Sequence, residues 1–172
     1  MKVHRELVGA LPEFRNAVVT IGTFDGVHKG HQQILAQLKE AAKEIDGETV
    51  IITFNPHPRK IISSVLGDVK LLTTLSEKIK LLEKAGIDHL VVIPFDHAFA
   101  NQSAASYVKA FLYHYFNPKM VIIGYDHRFG KGRLGDYHLL EKYGAELGFE
   151  VKEISAELLH QITISSTRIR QS

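Results

Sequence analysis

Residues 17–31 read Ala17-Val18-Val19-Thr20-Ile21-Gly22-Thr23-Phe24-Asp25-Gly26-Val27-His28-Lys29-Gly30-His31, and this stretch decides the fold. Its first five residues are apolar or β-branched, a short run suited to a strand buried on both faces. Residues 32–45 then repeat apolar side chains at helical spacing, so the glycine-rich middle is a strand-to-helix turn. His28 and His31 stand three residues apart where the first helical turn begins, which puts both imidazoles on one face. Gly30 between them has no Cβ and lets a bulky anion come close to the backbone. The unpaired N–H groups and the positive dipole end of a helix start favour negative charge there. The local chemistry points to a phosphate site, while paired histidines at a helix start also serve as ordinary surface or capping residues.

Outward from this turn, strand and helix alternate. Residues 48–54 are β-branched and apolar and stop at Asn55-Pro56-His57-Pro58, where two prolines exclude regular pairing. Thr74 with Glu77 forms a capping-box pattern; Leu75, Ile79, Leu82 and Ala85 follow at helical spacing and Gly86 closes the helix. A short strand over 90–94 leads through a loop to a helix over 103–115, whose Val108, Phe111, Leu112 and Tyr115 make one core-facing stripe. Residues 120–123 form another strand, 124–135 a loop rich in glycine and basic residues, 138–147 a helix and 149–154 a final strand. Parallel neighbours need helical crossovers, so this order predicts a parallel sheet covered on both faces: a doubly wound, Rossmann-like α/β domain. No repeat or linker divides residues 1–172. In such folds ligands sit outside the carboxyl ends of the strands, and every motif singled out here follows a strand, so the motifs can share one cleft.

Composition narrows the chemistry. A chain of 172 residues that is 45% hydrophobic supports one domain with a real core. A formal net charge of +2 does not mark a nucleic-acid binder. The absence of cysteine removes disulfides, thiolate nucleophiles and Cys-type zinc sites. Residues 1–11 carry charges throughout and no run reaches the roughly 18 apolar residues of a membrane span, so a cytoplasmic location and no membrane partner are expected. Asn101-Gln102-Ser103 matches a glycosylation acceptor but is set aside without a secretory signal. Gly22, Gly26 and Gly30 recur every four residues, which is not the dinucleotide fingerprint, and Lys29 is not placed as in a P-loop. A zinc site lacks a third ligand at regular spacing. Ser165, Ser166 and Thr167 with Arg168 and Arg170 gather many donors into six residues, a cluster that could hold a polyphosphate but by itself more commonly makes an ordinary helix cap.

The stretch from Gly22 to His31 resembles the His-x-Gly-His signature of the nucleotidyltransferase superfamily, in the form found in prokaryotic flavin adenylyltransferases. The similarity continues through Thr53-Phe54-Asn55-Pro56-His57-Pro58, Gly124-Tyr125-Asp126-His127-Arg128-Phe129-Gly130 and Ile164-Ser165-Ser166-Thr167-Arg168-Ile169-Arg170, in the family's order over nearly the whole chain. The chain thus resembles the adenylyltransferase module of the prokaryotic FAD synthetases. The resemblance implies transfer of AMP from ATP to FMN, giving FAD and pyrophosphate, with Mg²⁺ carried mainly by the ATP phosphates. It implies His28, His31 and Arg170 as catalytic residues. Gly22, Thr23, Phe24, Asp25, Gly30, Asn55, His57, Asp126, Arg128, Phe129, Ser165, Ser166 and Thr167 would bind the substrates, with Arg168 at a variable position of its motif.

Asp25 either makes the Phe-Asp-Gly turn with its own backbone or orients that turn or a Mg²⁺-bound water. His127 stands where the family usually has Phe. Bacterial members usually carry a riboflavin kinase module after the arginine motif, whereas this sequence stops at Ser172. Hence it is expected to be a stand-alone adenylyltransferase or the front piece of a bifunctional protein, without riboflavin phosphorylation of its own. Other His-x-Gly-His transferases, acting on pantetheine phosphate, nicotinamide mononucleotide or a phosphocholine-like acceptor, and a non-catalytic flavin- or nucleotide-binding module are the alternatives.

Overall fold

The apolar run that precedes the glycine-rich turn forms β2 (Val18–Ile21), buried at all four positions, and α1 (Lys29–Glu44) follows the turn. The structure, a computed structural model, describes residues 1–5, 11–22, 29–55, 75–94, 96–125 and 127–155, and for residues 29–31, 55 and 75 it describes the backbone alone. The other strands are β1 (Lys2–His4), β3 (Thr49–Asn55), β4 (His89–Pro94), β5 (Met120–Gly124) and β6 (Glu150–Ile154). They form one sheet in the order β1-β4-β3-β2-β5-β6 in which every pairing is parallel. The expected α/β class and doubly wound parallel sheet are therefore observed.

Helices cover both faces, and the alternation of side chains along each strand sorts the core into two layers. Val18, Ile51, Leu90, Val92 and Ile122 face one side, where Ile34, Leu35, Leu38, Ala41 and Ala42 of α1 and Leu82 of α2 (Leu75–Lys84) cover them. Val19, Ile21, Val50, Ile52, Val91, Ile93, Val121 and Ile123 face the other. There they meet α4, a continuous helix made of Ala104–Ser106, Tyr107–Tyr113 and His114–Phe116, and α5 (Tyr137–Leu147). Ser103 caps α4 by accepting from the Ser106 N–H at 3.1 Å, and Asn117 ends it in the left-handed conformation at φ 41°. Gly86 follows α2 at φ +83°, as its position after the apolar stripe predicts.

Three features differ from the sequence reading. β1 was not expected; it is a three-residue edge strand, too short to show a period, and pairs with β4 from Lys2↔His89 to His4↔Val91. The stretch between β4 and α4 holds a short helix, α3 (His97–Ala100), capped by Asp96, which accepts from the Phe99 N–H at 2.8 Å. The middle of α4, Tyr107–Tyr113, is wound as a π-helix, a distortion found often near functional sites. Of the expected stripe, Val108, Phe111 and Leu112 are buried and Tyr115 is half-buried against the same core, which Tyr107 also joins. The capping box at Thr74 lies outside the described residues.

At the opposite edge of the sheet from the strand ends, β1 is tied down by ionisable groups. His4 Nε2 lies 3.1 Å from His89 Nδ1, and His89 Nε2 lies 2.6 Å from Glu48 Oε2, while Glu48 Oε1 accepts from the Arg15 N–H at 2.8 Å. Burial, then the neighbouring His89 and Lys2, hold the His4 imidazole below its ordinary 6.5. The Arg15 N–H, then the His89 hydrogen bond, hold Glu48 below its ordinary 4.5, against the opposing effect of burial. Both shifts act in the same direction. The unfolded chain takes up a proton at His4 near its ordinary value before the folded chain does, so stability falls as pH drops through that value. Glu48 contributes stability that is present above its ordinary value and is lost as pH falls through its folded value. Melting temperature is therefore expected to decline from about pH 7 to about pH 4, and His4→Phe to remove the part that sets in near pH 6.5. A constant difference between the two melting curves from about pH 5 to 8 would show that His4 contributes nothing.

Candidate functional site

Because all six strands run the same way, the ends of β2, β3, β4, β5 and β6 share one edge. From β2 the chain steps outward through β3 to β4, then returns to add β5 and β6 on the other side, so the order reverses between β2 and β5. Such a switch point is where doubly wound sheets open a ligand crevice. The pairings show the opening. β2 pairs with β3 over its full length, from Val18↔Thr49 to Ile21↔Ile52, whereas its ladder with β5 holds only Val18↔Met120 and Val19↔Val121. Beyond Val19 the two strands part. The Gly22 N–H donates to the Ile52 carbonyl at 3.0 Å, so the first residue of the glycine-rich turn is fixed to β3 at the lip of this opening.

Several residues singled out in the sequence come together along this edge. Gly22 follows β2, Gly30 and His31 lie in the first turn of α1, and Asn55 is the last residue of β3. The first turn of α1 carries no acidic side chain, so its N–H groups and dipole are not offset from within the helix. Arg128 and Phe129 belong to the loop after β5. Thr23, Phe24, Asp25, His28, His57, Asp126, Ser165, Ser166, Thr167, Arg168 and Arg170 lie outside the described residues.

The loop after β5 is held at both ends. Phe129 and Gly135 exchange backbone hydrogen bonds of 3.1 and 2.8 Å, and the Lys131 N–H donates to the Gln102 carbonyl at 2.7 Å. Gly130, at φ +78°, sits so close to α4 that a Cβ would lie 2.8 Å from the Ala104 backbone. Phe129 is 5% exposed, and its ring stacks on that of Tyr107 at 4.9 Å. Burial pushes the Tyr107 phenol up, so it stays protonated. Phe129 thus anchors the loop in the core. His127 stacks on Phe129 at 6.1 Å between ring centres, so an aromatic ring packs at this position. Arg128 is exposed, and its guanidinium donates to the His127 carbonyl at 3.1 Å.

Two further features were not read from the sequence. Ile93, Pro94, Asp96, Ala98, Phe99 and Gln102 line an open depression of about 470 Å³ at the end of β4, next to the anchored loop. Its walls combine apolar surface with a carboxylate and an amide. Lys78 of α2 is 6% exposed and donates to Thr53 Oγ1 at 3.3 Å, two residues before Asn55. Its position three residues after Leu75 and four before Leu82 puts it on the helix's apolar stripe, which is the signal that could have marked it.

Sheet order and helix placement define a doubly wound α/β domain, with Gly22, the first turn of α1 and Asn55 along the carboxyl edge of its strands. The model of the FAD synthetase family matches residues 11–168. The bifunctional riboflavin kinase/FMN adenylyltransferase of Buchnera aphidicola subsp. Schizaphis graminum is 41% identical over 157 residues, 91% of this chain and 50% of that protein. The protein of the same name from Escherichia coli K12 is 35% identical over 90% of this chain and 49% of its own length, and that from Haemophilus influenzae is 34% identical over 100% and 56%. The chain spans about half the length of the curated relatives it matches. A solved structure described as a macrolide-efflux protein from Streptococcus pneumoniae superposes with a TM-score of 0.74 over 90% of this chain and 52% of that one, at 24% identity, a likeness that shows the fold alone. The chain belongs to the FAD synthetase family. Among the described residues no helix is long and apolar enough to cross a membrane.

Proposed function

We propose that this chain transfers AMP from ATP to FMN, releasing pyrophosphate and leaving FAD. One observation carries the reading: in a chain of the FAD synthetase family, Gly30 and His31 of the His-x-Gly-His sequence fall in the first turn of α1, the helix that follows β2 at the switch point of the sheet. The FMN phosphate has a second pKa near about 6, so at neutral pH it is mostly a dianion and needs no general base. One of its oxygens attacks the α-phosphorus in line as the bond to the bridging oxygen of pyrophosphate breaks. The protein's contribution is positioning and charge neutralisation.

In this reading His28 and His31 donate to phosphate oxygens as negative charge builds up. Arg170, Ser165, Ser166 and Thr167 hold the β- and γ-phosphates, with Arg168 flanking them. Gly22, Thr23, Phe24, Asp25 and Gly30 shape the turn around the nucleotide; Asn55 and His57 after β3, and Asp126 and Arg128 on the loop anchored by Phe129, meet the flavin and nucleotide. Mg²⁺ would enter on the ATP phosphates and keep mostly phosphate and water ligands. When bound, it neutralises phosphate charge. Residues 1–172 would act as one adenylyltransferase domain, working in the cytoplasm and, in a longer chain, beside a riboflavin kinase module.

A panel of acceptors tests the reading. With ATP and Mg²⁺, FMN is expected to give FAD and pyrophosphate, whereas riboflavin, which has no phosphate to attack with, gives no FAD. Turnover of pantetheine phosphate or nicotinamide mononucleotide in place of FMN would overturn the acceptor, and flavin binding without any product would leave a binding module.

A further inference from the structure

Among the described residues, four other than glycine adopt positive φ: Asn16 at 44°, Asp46 at 51°, Asn117 at 41° and Arg133 at 56°. Three are Asn or Asp, whose short polar side chains tolerate the left-handed region; arginine has no such relief and is strained there. Core packing does not force this conformation, because Arg133 is exposed. Its N–H closes a turn onto the Gly130 carbonyl at 3.0 Å, a turn that glycine could make without strain. What arginine adds at this position is a guanidinium.

The surrounding charge points to what that guanidinium meets. Arg128, Lys131 and Arg133 are all exposed on the anchored loop. Of the nearby carboxylates, Asp136 accepts from the Leu139 N–H at the start of α5, and Glu141 accepts from the Tyr137 hydroxyl. Among the described residues the ion pairs join Arg15 to Asp46 and His89 to Glu48, and none engages these three cations. The loop leaves the carboxyl end of β5 at the switch point and is tied through Lys131 to Gln102 on the rim of the depression. Backbone strain held at a rigidly pinned loop is a mark of functional positions.

We propose that Arg133 is a substrate-binding residue whose guanidinium takes a phosphate group at the mouth of the crevice. This rests on the adenylyl-transfer reading, in which that group belongs either to the ATP polyphosphate or to the FMN phosphomonoester. The full chain with Arg133→Gly is expected to melt about 1–3 °C higher, because glycine relieves the strain. The same variant raises KM for ATP or for FMN about tenfold, the loss of one charge-assisted contact. Arg133→Lys keeps the charge and stays within about threefold of the parent. A rise in the ATP value alone assigns the polyphosphate, a rise in the FMN value alone the phosphomonoester, and a rise in both places the guanidinium between them. Unchanged KM values in Arg133→Gly overturn the proposal, as does a lower melting temperature with kcat and both KM values damaged together. Titration with inorganic pyrophosphate separates it from the parent reading. If the wild-type chain makes no FAD, adenylyl transfer falls, yet weaker pyrophosphate binding by Arg133→Gly still upholds the anion site; equal binding, or none by the wild type, ends it.

Discussion

His28→Ala and His31→Ala are each expected to lower kcat by about 10² to 10³ while leaving FMN affinity nearly unchanged. α1 begins at Lys29, so His31 falls in its first turn and His28 immediately precedes it in the chain, where backbone N–H groups already offer a field for anions. The substrates arrive with most of their phosphate charge in place. What changes along the reaction is the charge on the oxygens around the α-phosphorus and on the departing pyrophosphate. Donors aimed at those oxygens strengthen as that charge grows, so their loss is felt in turnover more than in binding. Steady-state kinetics on both variants decide the matter. Equal losses in FMN binding with unchanged kcat would assign the imidazoles to ground-state binding and contradict a transition-state role.

Phe129→Ala is expected to cost about 3–5 kcal/mol of stability, the range for deleting a buried aromatic side chain. The ring stacks on Tyr107, and it fills the space beside Gly135 so closely that a Cβ there would lie 2.4 Å from it. Its loss frees the loop that carries Asp126, Arg128 and Arg133, so both stability and substrate affinity fall. Phe129→Leu, which keeps much of the apolar volume, is expected to recover most of the melting temperature and with it the affinity for FMN. Were the ring instead a platform for the flavin, Phe129→Leu would keep its melting temperature and still lose FMN affinity. Thermal melts paired with FMN titrations of the two variants distinguish core anchor from flavin contact.

Much of this architecture is legible in the sequence because strands buried on both faces leave continuous apolar runs. Val18–Ile21 and Thr49–Asn55 are of this kind. α1 is legible because Ile34, Leu35, Leu38, Ala41 and Ala42 recur on one face. β1 is not, since three residues at a sheet edge have no period and owe their pairing to a distant strand. The π-helical turns of Tyr107–Tyr113 depend on how their rings fit the sheet, which spacing alone does not encode. For the site, periodicity and glycine placement locate the turn before α1. The crevice beside it depends on where the β2–β5 ladder stops, a tertiary fact. Phe129 is likewise readable as a motif residue, but its role as an anchor appears only once Tyr107 and Gly135 surround it. The spacing of Lys78 from Leu75 and Leu82 marks the apolar stripe, but lysine is so rarely buried that its burial shows only in the packed fold.

Joining AMP to the phosphate of FMN is the reaction proposed for this chain. It is tested most directly by incubating the chain with FMN, Mg²⁺ and ATP labelled at the α-phosphorus, then separating the flavins and measuring pyrophosphate. Label is expected in FAD in one-to-one proportion with pyrophosphate released. Label remaining in ATP, or appearing only in free AMP while FMN is unchanged, would contradict it.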